Sequence, residues 1–316
     1  MELTRDFQQL NKGDSSIAGG KGASLGEMTQ AGIPVPPGFV VLVESFEHFL
    51  HETGLVQEID AILETVNHKE IHTVESASEK IQGLIKNAQT PDDIKSAILK
   101  DFDELNTEFV AIRSSATAED GQDHAWAGQL DSYLNVTKEN VLEKLQDCWA
   151  SLFTPRAIFY RFEKQLNTTK ISVAVVIQKM VNSEMSGIAF SVHPVTEDRN
   201  QLIIEAGFGL GEAIVSGQIT PDSYVVEKEP RNILDVYVSE QTRGLFRKQG
   251  GDNEWKELGE KGKNQVLTEV QINELSDIIL IIENHYAFPC DIEWAFEVGK
   301  FYVVQSRPIT TLNRQN

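Results

Sequence analysis

Residues 291–308 read DIEWAFEVGKFYVVQSRP, in which polar and apolar residues alternate on both sides of a Val-Gly pair. Alternation with a period of two is typical of a half-buried β-strand, and a glycine between two such runs predicts a hairpin. We expect one strand from Asp291 to Phe296 and a second from Lys300 to Gln305.

One side of this hairpin is polar, because Asp291 and Glu293 share a face of the first strand. Three residues of the second strand are expected on the corresponding face: Val303, Gln305 and Arg307. A three-residue loop over 298–300 sets Glu293 opposite Gln305, with Arg307 just beyond. Two oxygen ligands beside a guanidinium suit Mg²⁺ that bridges a polyphosphate, although a polar side that simply faces solvent is commoner in hairpins generally.

A second motif is the glycine-rich loop Ala18-Gly19-Gly20-Lys21-Gly22, which precedes a helix-like segment over 23–31. Glycines let the backbone approach an anion, the helix N-terminus adds N–H donors, and Lys21 adds a charge. The loop is not a Walker A motif, because residue 15 is serine and Gly22 follows Lys21. Taken alone, it fits a phosphate-binding loop and a flexible turn equally well.

A third motif places Arg113 at the end of a strand over 108–112, followed by Ser114, Ser115 and Thr117. A guanidinium beside three hydroxyl groups is suited to phosphate oxygens. In isolation, a surface arginine followed by a solvated loop explains the same residues. The loop continues to Gly128, which can admit a phosphate, and a strand returns over 129–136.

The apolar, β-branched run over 171–181 predicts a buried strand, and 186–192 is its expected antiparallel partner across a short turn. Residues Gln178 to Val181 offer backbone groups and a flat apolar wall that suit an adenine ring. Most of this strand is equally well explained as core.

Composition excludes several functions. The formal net charge of −20 argues against a nucleic-acid surface, although a few cations focused in one cleft still suffice for a nucleotide. The two cysteines are isolated among apolar residues, and the seven histidines show no zinc-ligand spacing. We expect no membrane contact and a cytoplasmic location, because residues 1–10 do not resemble a signal peptide and no apolar run spans a bilayer.

Strands and helices are mixed without strict βαβ alternation, which predicts an α+β fold. Residues 46–105 are charged and helical in pattern and contain no chemical motif. A helix is expected over 269–286, before the closing hairpin.

Together the motifs resemble the N-terminal nucleotide-binding domain of the phosphoenolpyruvate synthase, pyruvate phosphate dikinase and rifampin phosphotransferase family. The resemblance spans nearly the whole chain in the same order and rests on these segments: 19–21 with 24–28, 35–39, 113–120, 127–129, 209–212, 291–295 and 305–309. Leu130, Gly121 and His193 depart from the family pattern.

The resemblance implies an ATP-grasp-like fold in which two lobes clamp ATP, here 1–178 with the glycine-rich loop, helical insert and Arg113 loop, and 179–316 with the hairpin. It also implies roles for individual residues. Phosphates are held by Lys21, Arg113 and Arg307, the loop above them is lined by Gly128 and Ser132, Mg²⁺ is approached by Glu293 and Gln305, and adenine lies against Gln178, Lys179, Met180 and Val181.

In this family the β-phosphate of ATP passes to a histidine on a separate domain, with release of AMP and phosphate. Partners are therefore a phosphohistidine domain and a substrate domain, in the same chain or in another. His193 lacks the sequence context of the carrier and is interpreted as a loop histidine. Two other functions stay open: an ADP-forming ATP-grasp ligase and a non-catalytic ATP-sensing module.

Overall fold

The computed structural model describes residues 1–117, 132–163, 172–310 and 312. The chain divides into two compact units, and neither is continuous in sequence. The first contains Met1–Glu27 and Pro37–Met180, and the second contains Met28–Pro36 and Val181–Asn316. Gly128 lies outside the described residues.

The first unit combines helices with one antiparallel sheet. Its helices are α1 (Ser15–Gln30, whose last turn belongs to the second unit), α2 (Val43–Glu52), α3 (Leu55–Glu64), α4 (Ile71–Asn87), α5 (Asp92–Glu104), α6 (Val141–Ala150) and α7 (Pro155–Glu163). Its strands are β1 (Thr4–Asp6), β2 (Gly38–Val41), β3 (Val110–Ala116), β4 (Ser132–Val136) and β5 (Val173–Lys179). They follow the order β1-β2-β5-β3-β4 in the sheet.

The apolar run that predicts β5 is explained by its central position, with β2 on one side and β3 on the other. Residues Val173–Ile177 are completely buried. The helices cover this sheet with a core in which the Trp149 ring packs against Phe46 and Phe49 at centroid distances of 5.4 and 4.8 Å. The first unit therefore has a core of its own.

The second unit is built mainly of strands. They are β6 (Met185–Phe190), β7 (Gln201–Phe208), β8 (Asp222–Glu227), β9 (Asn232–Tyr237), β10 (Arg243–Arg247), β11 (Asn253–Glu257), β12 (Cys290–Glu297) and β13 (Lys300–Pro308). Its helices are α8 (Glu212–Val215) and α9 (Glu269–Tyr286). An antiparallel sheet has the order β13-β12-β6-β7-β8-β9, and β10 and β11 pair separately. The α+β prediction is confirmed.

The expected pairing of the strands before and after the 180–185 turn is wrong. β5 lies in the sheet of the first unit, whereas β6 pairs with β12 and β7 in the second. Both strands are apolar, so periodicity detected each one, but strand partners depend on contacts distant in sequence that periodicity does not encode.

The closing hairpin has the predicted pairing of Glu293 with Gln305, but a different turn produces it. Glu297 pairs with Lys300, so the loop is the two-residue turn 298–299, with φ of 47° and 76°. The register shifts between Glu293 and Trp294, where a β-bulge leaves residue 304 as the extra residue.

This bulge also corrects the predicted faces. Val303 pairs with Trp294, and both are buried, so Val303 shares the apolar side rather than the side of Gln305. Arg307 pairs with Asp291, one step along the ladder from the pair of Glu293 and Gln305 on the same face.

Within the described ranges, we find no helix with the length and hydropathy that crossing a membrane requires.

Candidate functional site

The glycine-rich loop is a kink inside α1, packed tightly against β3. Gly19 has φ 67° and ψ 170°, and a Cβ added there would lie 2.2 Å from the backbone oxygen of Ser115. The Ser115 hydroxyl donates to the carbonyl of Ala18 at 3.0 Å and accepts from the Gly22 N–H at 3.2 Å. The loop is therefore held in a defined conformation by the strand beneath it, not free as a flexible turn would be.

Lys21 is placed by the same contact, because its Nζ donates to the backbone oxygen of Ser114 at 3.0 Å. Ser114 directly follows Arg113 in β3, and both Lys21 and Arg113 are partly exposed. Arg113 lies in the middle of β3, and not at the end of a strand as the sequence predicted. Two of the three cations named from the sequence thus approach the same part of β3.

The hydroxyl groups of Ser114 and Ser115 do not have the expected phosphate-binding role. Ser114 is 1% exposed, and its hydroxyl lies 3.3 Å from the Ser151 hydroxyl and 3.4 Å from the Cys148 carbonyl. Ser115 is completely buried. Alternation places Ser114 on the face opposite Arg113. Ser115 shares the face of Arg113, and it is buried because the loop around Gly19 packs directly against it.

Ser132 is exposed at the start of β4 and pairs in register with Arg113. A hydroxyl on the edge strand β4 and a guanidinium on its neighbour β3 therefore lie side by side. The preceding loop residue named from the sequence, Gly128, lies outside the described residues.

The segment proposed for adenine continues from β5. Gln178 is buried, Lys179 is exposed, and Val181 is buried. The N–H groups of Lys179 and Met180 already donate to Pro37 and Phe109 carbonyls, at 2.9 and 3.0 Å. These two N–H groups are therefore already engaged, and the segment offers an adenine ring fewer backbone donors than the sequence suggests.

In the second unit, a compact polar face is formed by β12 and β13. Glu293 and Gln305 are paired, both partly exposed, and the next pair on this face is Asp291 with Arg307. Arg307 Nε donates to Asp291 Oδ2 at 2.8 Å, and Nη2 lies 2.7 Å from the same oxygen. Asp291 was placed on this face by the sequence but was given no role there.

Glu205 also belongs to this face, and the sequence interpretation missed it. It is opposite Ile188 of β6, and Ile188 is opposite Glu293 of β12, so the two glutamates lie in one row across the sheet. The sequence signal that could have identified it is a single charged residue within the apolar run 202–206, whose neighbours are buried.

Burial and repulsion act together on these carboxyl groups. Desolvation, followed by the charge of Asp291, raises the pKa of Glu205. Desolvation also raises the pKa of Asp291, against the lowering effect of Arg307 and with a further increase from Glu293. Three carboxyl groups and one guanidinium lie on this face, so acidic side chains outnumber basic ones there.

The donor set fits magnesium better than a transition metal. Within the described part of the chain, no three His, Cys, Asp or Glu side chains converge as metal ligands. Mg²⁺ is commonly held by one or two carboxylates together with water and substrate phosphates. Glu293 and Gln305 carry oxygen donors of this kind.

His193 is engaged in its own loop, where its Nδ1 accepts from the N–H groups of Val195 and Thr196, both at 3.3 Å. This arrangement organises the turn after β6.

Comparison with known proteins adds a family assignment. A profile of the pyruvate phosphate dikinase AMP/ATP-binding domain matches residues 15–316. The chain is 45% identical over 322 residues to a probable phosphoenolpyruvate synthase of Methanocaldococcus jannaschii, with 99% of this chain and 27% of the relative covered. It is 45% identical over 312 residues to the probable phosphoenolpyruvate synthase of Archaeoglobus fulgidus, and this alignment covers 97% of the chain and 41% of the relative.

A relative with a different name is similar as well. The rifampicin phosphotransferase of Bacillus cereus is 40% identical over 311 residues, with 97% of this chain and 36% of the relative covered. In each of these comparisons the chain spans less than half of the relative's length.

Proposed function

The chain belongs to the family of the pyruvate phosphate dikinase AMP/ATP-binding domain, and we propose that it binds Mg-ATP and phosphorylates a histidine on another domain or chain. In this reaction ATP, the histidine and one water give phosphohistidine, AMP and inorganic phosphate, with the β-phosphate retained on the histidine. The observation that carries the proposal is the pair of Glu293 and Gln305 beside the pair of Asp291 and Arg307.

The proposed roles follow the chemistry of each side chain. Lys21, Arg113 and Arg307 bind phosphate oxygens, and arginine does so with a planar set of donors. Ser132, together with Gly128, lines the loop over the phosphates. Residues 178–181 contact adenine.

Glu293 and Gln305 supply oxygen ligands for Mg²⁺, which when bound neutralises charge on the polyphosphate. The protein contributes position and fixed positive charge, which phosphoryl transfer requires more than a protein nucleophile.

We further propose that the chain acts as an ATP-grasp-like clamp, with 1–178 and 179–316 as its functional halves. The phosphohistidine and substrate domains are proposed partners, in the same polypeptide or in another, and the need for ATP fits a cytoplasmic location. The length of the relatives supports the presence of further domains.

A first experiment measures the melting temperature with ATP, with Mg²⁺ and with both. Ligand at about 100 times its Kd adds roughly 2.7 kcal/mol to stability, which corresponds to several degrees for a chain of this size. A shift that requires both components supports the nucleotide site, and no shift with any combination contradicts it.

A second experiment identifies the products. The chain is incubated with Mg-ATP and a separately prepared phosphohistidine domain, with radiolabel in either the β- or the γ-phosphate. We expect the β-label on the histidine domain and the γ-label in inorganic phosphate. ADP as the nucleotide product, or γ-label on the acceptor, would overturn the dikinase assignment.

A further inference from the structure

Glu205 is a carboxylate in an interior strand of the second unit. β7 lies between β6 and β8, and its residues Leu202, Ile204 and Ala206 are completely buried. Among the described residues, the carboxylate of Glu205 has neither a hydrogen-bond nor an ion-pair partner, and its electrostatic neighbour, Asp291, repels it. A half-buried carboxylate in this state is unfavourable for folding, so stability does not explain its presence.

The register places Glu205 in the row of the proposed metal ligands. From β7 to β13 this row contains Glu205, Ile188, Glu293 and Gln305, with all four side chains on one face of the sheet. Strands are spaced by about 4.8 Å, so the backbones at Glu205 and Glu293 are roughly 9.6 Å apart. Ile188 between them presents an apolar side chain that makes no competing polar contact.

Arg307, the arginine of this face, is paired with Asp291 in the neighbouring row. Both contacting nitrogens of Arg307 are directed at Asp291 Oδ2. The charge of Glu205 is therefore not balanced by the guanidinium, and a cation near Glu293 is the nearest balancing charge that the proposed function supplies.

Building on the proposed function, we propose that Glu205 is a positioning residue of the magnesium site. Its carboxylate accepts hydrogen bonds from water molecules bound to the ion that Glu293 and Gln305 would hold. Magnesium keeps several of its waters when bound to proteins, and these waters need acceptors. A role through water agrees with the absence, in the described residues, of three converging acidic, histidine or cysteine ligands.

The test compares ATP binding with and without metal for wild type, Glu205→Gln and Glu205→Asp. Kd for ATP is measured by calorimetry in EDTA, and the Mg²⁺ concentration at half-saturation is then measured at fixed ATP. The matched control is Glu227→Gln, which removes one carboxylate from β8 of the same sheet, outside the row. Circular dichroism and the melting temperature verify that each variant is folded.

We expect opposite effects of Glu205→Gln in the two conditions. In EDTA, ATP should bind at least as tightly as to wild type, because a carboxylate that repels the phosphates is gone. With metal, the half-saturating Mg²⁺ concentration should rise 10- to 100-fold, as is usual when a partner of metal-bound groups is removed. Glu205→Asp should lie between Gln and wild type, and Glu227→Gln should match wild type.

The outcomes separate this inference from the proposed function. If wild type shows no magnesium-dependent ATP binding, the proposed function fails first. If wild type binds Mg-ATP but Glu205→Gln has an unchanged magnesium requirement, this inference alone is overturned. Equal weakening of ATP binding with and without metal also overturns it, because that result indicates a structural role.

Discussion

Arg307 and Asp291 form an ion pair in which two guanidinium nitrogens contact the same carboxylate oxygen, Oδ2, at 2.8 and 2.7 Å. The Asp291 side chain is 13% exposed, whereas that of Arg307 is 51% exposed. The mostly buried carboxylate thus holds the guanidinium in position, and half of the Arg307 side chain is still accessible to a ligand. This pairing fixes a proposed phosphate-binding group before any nucleotide is present.

Replacing Arg307 with alanine should lower phosphoryl transfer by at least about 100-fold, because it removes the charge that we propose to bind the transferring phosphate. The variant also leaves Asp291 without its partner, so we expect about 1–2 kcal/mol of destabilisation. The double variant Arg307→Ala/Asp291→Asn should regain stability but not activity. Measured rates and urea unfolding check both statements, and recovered transfer in the double variant would contradict the proposed role of Arg307.

Replacing Arg113 with alanine should abolish transfer with little change in stability, because its side chain is partly exposed and does not belong to the core of the first unit. The rate of labelling of the histidine domain and the urea midpoint are the two measurements. Loss of folded protein in parallel with loss of activity would show that Arg113 is structural.

Replacing Gly19 with alanine should destabilise the protein by about 1–3 kcal/mol or more, since its φ and ψ are essentially restricted to glycine and the new Cβ would collide with Ser115. Gly83 in α4 is the matched control, because a Cβ there meets nothing within 4 Å. Gly83→Ala should stabilise by roughly 0.5–1 kcal/mol. Chemical unfolding of both variants checks the contrast, and similar values for the two would refute the strained loop.

Asp222 is a buried acceptor that joins three segments of the second unit. It accepts from the N–H groups of Ser239 and Val266 at 2.9 and 2.8 Å and from the Tyr224 hydroxyl at 2.8 Å. Asp222→Asn should lower the free energy of unfolding by roughly 3 kcal/mol, because the new amide group either places its nitrogen against N–H donors or replaces a charged acceptor with a neutral one.

Tyr224→Phe leaves the Leu267 N–H without its acceptor. This variant should lower the free energy of unfolding by about 1–3 kcal/mol. Unfolding in guanidinium chloride measures both, and a neutral Asp222→Asn would contradict this account.

Glu205→Gln should make the ligand-free protein more stable at neutral pH. Because the folded state raises the pKa of Glu205, it binds a proton more tightly than the unfolded state, and ionisation lowers stability as pH rises. The advantage of the variant should be absent below about pH 4, grow as pH rises above the unfolded pKa, and then level off. A Tm difference on the order of 1–3 °C at pH 7 is expected, and a constant difference from pH 4 to 8 would contradict the assigned cause.

Local patterns predicted the elements better than their partners. The helix over 269–286 lies at the predicted residues, because its apolar spacing and the capping box of Thr268 and Gln271 are both local. The pairing of β5 with its neighbours was mispredicted, because β2 and β3 are far away in sequence.

The site shows the same division. Pairing of Glu293 with Gln305 was predicted, yet it results from a shorter turn combined with a bulge, two changes that compensate each other. Glu205 was missed because its relation to Glu293 passes through β6, a strand whose neighbours no local pattern specifies. The inward direction of the Ser115 hydroxyl follows from its contact with the loop around Gly19, which also lies far away in sequence.

The segment Met28–Pro36 belongs to the second unit, although it is synthesised before most of the first. Its Pro34 carbonyl accepts from the N–H of Val303 at 2.8 Å, a bond between residues almost 270 positions apart. During translation all strands of the first sheet are synthesised before β13, the strand that Met28–Pro36 contacts. The second unit therefore becomes complete only when β13 has left the ribosome, and a gene fragment that starts at residue 181 lacks a piece of it. A gene that joins 28–36 through a linker to 181–316 contains every residue of the second unit.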